Sequence, residues 1–388
     1  MSEHASESAG TVRPISDQEA APFGVYSAAQ AASAPLMPWS DRTPYEQWCE
    51  AQAIPIVKGF YVADLTQVKT SPWPATGVSG AIIQLDGTDE TNGAWVLRID
   101  RGEASNWSRH VYEEMFYAVS GRGTIELRVD GRVERQEWEP GAVFAPPLNV
   151  EYRLTAAADA TLYCVNAAPP VMNLFHNPQF ADANPFRFSD RRKPVGDGPD
   201  GYFDPRGRLW KRPDGAGVWE TTWIDDVNHF ELPPLARRGG QGTMVTFQLG
   251  EGSLIAHISQ FPSGAYKKAH RHGPGANIVI LGGEGYSLLW QSDGDEPQRV
   301  DWGPNSVFVP PDMWWHQHFN SGTDPARYVA MRWGSRKHLI NHNYEGTLVD
   351  RRDGGNQIEY DEQLPMIDEL FAAECSRHGV TFASPTAR

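Results

Sequence analysis

The sequence predicts an all-β protein built from two tandem copies of one unit, and two observations predict it. Brief apolar runs, many of them β-branched or aromatic, recur between Gly and Pro punctuation, which is the pattern of antiparallel strands joined by tight turns. Two regions of the chain also match one another in register, the signature of an internal duplication.

Residues 1–40 are rich in Ala, Ser and Pro without a steady hydrophobic period and are expected to form a mobile tail. A first copy is expected over residues 41–176, opening with a short helix at 45–53. It continues with strands near 81–85, 95–99, 115–119 and 124–129. From 177 to 242 the pattern dissolves into Pro, Asp, Arg and Trp, so a long connection packed over the strands is expected. The second copy spans 243–336, with strands near 244–249, 254–261, 278–281, 286–290, 306–309 and 327–333. Residues 337–388 form a C-terminal arm with a short helix at about 366–373.

The repeat is specific. Gly102, Ser108, Arg109, His110, Glu114, Gly121, Gly123 and Gly141 each have a counterpart 162 positions later, at Gly264, His270, Arg271, His272, Ala276, Gly283, Gly285 and Gly303. Beyond Gly303 the second copy gains two residues, after which Pro147 pairs with Pro311, Tyr152 with His316 and Ala156 with Asn320.

Composition narrows the function. At 388 residues two domains are expected. A formal charge of −15, with no basic run, argues against nucleic acid or an anionic membrane surface as partner. Cys49, Cys164 and Cys375 are too few and too scattered for a disulfide framework, which fits a reducing cytoplasm. The opening residues lack a basic and an apolar signal region, and no apolar run is long enough for a membrane span, so neither secretion nor insertion is expected.

In an extended strand alternate side chains share a face, so His270 and His272 point together while Arg271 points away. His316 enters from a later strand behind the stiff Pro310-Pro311 pair. Three neutral imidazoles suit Fe(II), Zn, Ni or Cu, and leave positions open on the ion, as catalysis requires. His318, two residues past His316, is either an acid/base group or an alternative ligand should the two-residue insertion shift the register. His257, Gln260, Asn277, Trp315 and Arg332 are candidate substrate contacts, and Trp290, Trp314 and Trp333 either wall the pocket or fill the core. Lys267 and Lys268 are read as solvated loop lysines, and Cys164 as a small buried hydrophobe. In the first copy Ser108 and Tyr152 replace two histidines, leaving His110 and Glu114, so that copy is expected to be metal-free and structural.

These motifs resemble those of the cupin superfamily, over residues 80–170 and 245–335. The resemblance implies two tandem cupin domains, each a small, jelly-roll-like antiparallel β-barrel, with short peripheral helices and a metal in the second barrel. It also implies a homo-oligomer. Within the superfamily, His270-Arg271-His272, Ala276 and Trp315-His316-Gln317-His318 before Asn320 are similar to the three-histidine site of gentisate dioxygenase-like enzymes. That likeness implies an Fe(II)-dependent dioxygenase using O2 on a small, aromatic, anionic substrate. The chain departs from those enzymes in two ways: Ile278 stands where they carry an arginine for the substrate carboxylate, and the intact histidines lie in the C-terminal copy. Two other readings share the same site: a lyase, isomerase or decarboxylase using Zn, Ni, Mn, Cu or iron as a Lewis acid, and a cupin that binds a small molecule without turnover.

Overall fold

The computed structural model describes residues 28–34, 40–88, 90–195, 201–212, 216–340, 346–382 and 384–385. Most of the tail expected at 1–40 lies outside the described residues. Before Pro44 the described residues include one helix, Ala28–Ser33. None of the described helices is long and apolar enough to cross a membrane.

From Pro44 onward the chain is mostly β, as the turn-punctuated apolar runs predict. Among the described residues its strands form a nine-stranded, an eight-stranded and a three-stranded sheet. In the first copy Gly93–Ile99 pairs antiparallel with Glu151–Asn166, which pairs antiparallel with Glu114–Val129. In the second copy Leu254–Phe261 pairs with Ala326–Trp333, and that strand with Asn277–Gly282, in the same order. The long first-copy strand Glu114–Val129 is irregular between Ala118 and Gly123, and at the same place the second copy breaks into two strands, Asn277–Gly282 and Gly285–Trp290. Gly121 and Gly283 occupy that point with φ of +78° and +83°, and a Cβ on either would run into the backbone of the neighbouring strand.

The duplication expected from the glycines and histidines is present in the hydrogen bonds. Isolated bridges join Ser108 to Tyr152 and Ala104 to Thr155; their counterparts join His270 to His316 and Tyr266 to Phe319. The extra two residues of the second copy therefore fall between the two arms of each bridge, as the sequence register requires.

The segment 177–242 differs from expectation. It supplies the strands Arg208–Lys211, Gly217–Thr221 and Trp223–Ile224, which join the sheets. Trp223–Ile224 pairs with Val143–Phe144 of the first copy, whereas Tyr61–Val62, 162 positions earlier, pairs with Val307–Phe308 of the second. Each copy thus lends its leading short strand to the other's sheet. Strands this brief carry no periodicity for sequence reading to detect, and they are held by burial: Trp223 is 2% exposed and stacks on Phe144 at 4.9 Å.

Both faces of the central strands are covered. Along 94–97, Ala94 and Val96 join a core shared by the two copies, while Trp95 and Leu97 point into the first copy's own interior. Ala256, Ile258, Val329 and Met331 enter the shared core from the second copy. Its own interior is divided between an apolar cluster that includes Phe261, Ile278 and Phe308 and a polar cavity. A second cluster, with Trp315 and Phe319, lies on the opposite face of their strand against the helix Met366–Arg377.

Candidate metal centre

Strand alternation places the polar cavity. Trp315–Asn320 turns His316, His318 and Asn320 to one face and Trp315, Gln317 and Phe319 to the other. His270 hydrogen-bonds His316 through both backbones, amide to carbonyl at 3.0 and 2.8 Å, and this sets the two rings 4.2 Å apart. The ring of His272 lies 4.6 Å from that of His316 and 5.6 Å from that of His270. The ring of His318 is 5.5 Å from that of His316 and 6.0 Å from that of His270. The ligand-capable atoms of His270, His316 and His318 fall within 4.8 Å of one another, a group that includes His318 and not His272.

The hydrogen bonds separate the four rings by tautomer. Nδ1 of His316 faces the Trp314 carbonyl at 3.0 Å, Nδ1 of His272 the Gly273 carbonyl at 2.8 Å, and Nδ1 of His270 the Lys268 carbonyl at 3.4 Å. A carbonyl only accepts, so these Nδ1 atoms carry the proton and each Nε2 presents a lone pair. His318 differs. Its Nδ1 meets the Ser287 hydroxyl at 2.8 Å, and that oxygen already accepts from Trp302 Nε1 at 3.0 Å. Among the described residues the Ser287 proton has no other acceptor, so Ser287 donates to His318 Nδ1 and the proton of His318 sits on Nε2.

His316 Nε2 is buried and has no hydrogen-bond partner among the described residues. An orphaned lone pair between other imidazoles is costly in a protein interior, and a divalent cation satisfies it, so the residues fit a metal ion. Burial holds the cluster neutral: the pKa of His316 is pushed down to about 4, against a weaker upward pull from the Trp314 carbonyl. Burial likewise drives His270, His272, His318 and His257 well below the usual range.

The cavity holding these rings is small, about 40 Å³. Its wall includes Lys267, Arg238, Arg332, Arg336, His257 and Tyr328, and among the described residues no carboxylate lines it. Arg212 and Arg336 also line a larger groove of about 640 Å³ with Lys193, Arg208 and Lys337, so cavity and groove abut.

Of the candidate contacts, His257 and Arg332 line the cavity, as do Ala276 and Ile278. Gln260, Asn277 and Trp315 do not. Gln260 accepts from Arg327 Nη1 at 2.8 Å; Asn277 accepts from the Tyr163 hydroxyl at 2.6 Å and donates to the Gly275 carbonyl; Trp315 lies in an apolar cluster beneath the Arg271 guanidinium. Each sits at a strand position of the wrong parity for the interior. Trp290, Trp314 and Trp333 likewise belong to or pack against apolar clusters. Lys268 pairs with Glu359. Lys267 is not the solvated loop lysine expected from sequence: it is 1% exposed and lies inside the fold. The signal for it lies in the internal copy. The aligned registers place His257, Ser259, Tyr328, Arg332, Lys267 and His318 where the first copy has Trp95, Leu97, Leu162, Asn166, Ser105 and Leu154. Largely apolar interior positions in one copy are polar in the other.

The equivalent place in the first copy is filled by protein. Tyr152, standing at the His316 position, donates its hydroxyl to Glu114, and His110 Nε2 lies 3.1 Å from the same carboxylate. Tyr112 stacks on His110 at 4.4 Å, and Asp182 approaches its Nδ1 at 3.4 Å.

No family model matches the chain, and no curated protein matches it. Among solved structures it is similar to Bacillus subtilis oxalate decarboxylase. A serine-to-alanine variant of that enzyme matches with 13% identity and a TM-score of 0.47 over 72% of this chain and 78% of that one. A tryptophan-to-tyrosine variant matches with 14% identity and a TM-score of 0.47 over the same shares. A study of the Mn(II) centres of that enzyme supplies a third, at 13% identity and a TM-score of 0.46 over 72% and 78% of the two chains. The reading of the site therefore rests on its own residues: the fold and the cluster define a duplicated all-β protein with a cluster of imidazoles in its second copy that could hold a metal ion.

Proposed function

We propose that this protein is a metal-dependent enzyme acting on a small anion, with His270, His272 and His316 holding a divalent ion and His318 donating a hydrogen bond to the substrate from Nε2. The orphaned Nε2 of His316 between neighbouring imidazoles carries the reading. Bound there, the ion supplies Lewis acidity to substrate oxygens without the charge reduction that a carboxylate ligand would bring. The protein supplies the rest. Arg238, Arg332 and Lys267 favour an anion, the small volume excludes bulk water, and His318 Nε2–H offers a hydrogen bond beside the cluster. Polarising a carboxylate or carbonyl in such a site is what lyase, isomerase or decarboxylase chemistry requires.

A second reading is Fe(II)- and O2-dependent cleavage, favoured by Ala276, which lines the cavity and keeps the centre free of carboxylate. Anaerobic assay separates the two. Protein loaded in turn with manganese, zinc and iron is offered a panel of small carboxylic acids and 1,3-diketones, with and without O2. Turnover under strict anaerobiosis is the expected result; turnover with iron alone and only with O2 would establish the second reading instead.

A further inference from the structure

Lys267 is a buried amine without a carboxylate partner among the described residues, and burial, with the Arg238 charge nearby, holds its pKa well below the usual lysine range. Its Nζ donates to the Ser259 hydroxyl and, at 3.0 Å, to the Tyr328 hydroxyl, and it lies over the Phe261 and Tyr328 rings at 4.9 and 4.7 Å. Ser259 passes its own proton to the Thr243 carbonyl at 2.9 Å, so it acts on Lys267 only as an acceptor. Tyr328 Oη accepts from Lys267 and also hydrogen-bonds with the Ser259 side chain, so the three groups form one network around Lys267 Nζ. Lys267 and Tyr328 line the histidine cavity, whose wall carries no carboxylate among the described residues. A buried amine kept neutral by desolvation takes up its proton once an oxyanion stands beside it, so an anion entering this cavity meets an ammonium and a phenol as donors.

The internal copy shows that the fold does not need this arrangement. At the positions of Lys267, Ser259 and Tyr328 the first copy carries Ser105, Leu97 and Leu162, and Leu97 and Leu162 belong to a closed apolar core. The polar trio is confined to the copy that has the histidines. Ile278, in the same cavity wall, offers no charge for a carboxylate, so that charge must come from another strand.

We propose that Lys267 and Tyr328 form an oxyanion subsite beside the imidazole cluster and that it receives a carboxylate of the substrate through Lys267 Nζ and Tyr328 Oη. The substrate class is thereby narrowed to small carboxylic acids whose second oxygen function reaches the histidines. This rests on the cavity being the active site, but not on any particular metal.

The test uses full-length protein, metal-free and then manganese-loaded, titrated calorimetrically with acetate and with its neutral isostere acetamide. Acetate is expected to bind metal-free protein and acetamide at least tenfold more weakly. Tyr328→Phe should weaken acetate about tenfold, the loss of one hydrogen bond to a charged group. Lys267→Met should abolish acetate binding, and Lys267→Arg should restore part of it. Thermal melts establish that each variant is folded, and Tyr328→Phe, which leaves the packing intact, keeps the test decisive if Lys267→Met does not fold. Equal affinity for acetate and acetamide, or acetate binding unchanged in Tyr328→Phe, overturns the subsite. So does loss of manganese from Lys267→Arg, since the lysine would then serve the histidines rather than an anion. Failure of the wild type to hold manganese, zinc or iron would defeat the metal-dependent reading while leaving the metal-free acetate result to judge the subsite.

Discussion

His316 and Tyr152 occupy one structural position in the two copies, held by the same backbone bridge, and the difference between them decides what each copy contains. Tyrosine places a hydroxyl on Glu114 and closes the site with a hydrogen bond; histidine leaves a buried lone pair open. The tautomers assign roles among the remaining rings. His272 Nδ1 is fixed on a carbonyl and His318 Nδ1 on a hydroxyl that donates, so His272→Gln should lose bound metal whereas His318→Gln should keep it. Elemental analysis of the two purified variants checks this; the opposite pattern would make His318 the third ligand, as the distances alone suggest. The histidine cluster was legible in the sequence because the i, i+2 spacing of His270 and His272 and the internal repeat are strong local signals. Lys267 was not, because a lysine before a histidine pair reads as a loop residue until the irregular segment between the Tyr266 and His270 bridges is seen to turn it into the interior.

At the scale of elements, the strands that carry long alternating or apolar runs were legible, and those that are short were not. The pair Leu254–Phe261 and Ala326–Trp333 follows the expected runs closely. Glu151–Asn166 is not among the expected strands: Glu151, Arg153 and Thr155 alternate with the buried Tyr152, Leu154 and Ala156, but this short period-2 pattern runs into the Ala-rich stretch 156–158, where hydrophobic contrast is lost. Trp223–Ile224 was hidden in a segment read as connection, since two residues have no period. Their importance is measurable. Trp223 is buried against Phe144 and Phe203, so Trp223→Ala should cost about 3–5 kcal/mol by cavity formation, read as a shift of the denaturant midpoint. A loss below about 1 kcal/mol would mean that the exchanged strand is dispensable.

For the whole molecule, the two copies share one apolar core and differ in the interior each keeps to itself, so opposite titrations bracket its stability. In the first copy burial alone would lower the His110 pKa, but the Glu114 carboxylate and Asp182 raise it to about 9. A raised histidine stabilises the fold below the unfolded value of about 6.5, and that contribution is lost as pH rises through about 9. In the second copy His316 sits at about 4, chiefly through burial. Its neutral form is matched to the fold above about 6.5, and stability is lost as pH falls toward about 4, where the unfolded chain takes up protons that the native state refuses. Denaturant unfolding of metal-free protein across this range should show both limbs, and His110→Gln should flatten only the alkaline one. A flattened acid limb in that variant would contradict the assignment.

The central claim is that one copy holds a metal ion and the other has replaced it with protein groups. Elemental analysis of protein purified with manganese, iron or zinc, alongside His316→Ala and His110→Ala, addresses it directly. The account predicts one equivalent per chain in the wild type and in His110→Ala, and none in His316→Ala. Metal retained in His316→Ala, or lost in His110→Ala, would contradict it.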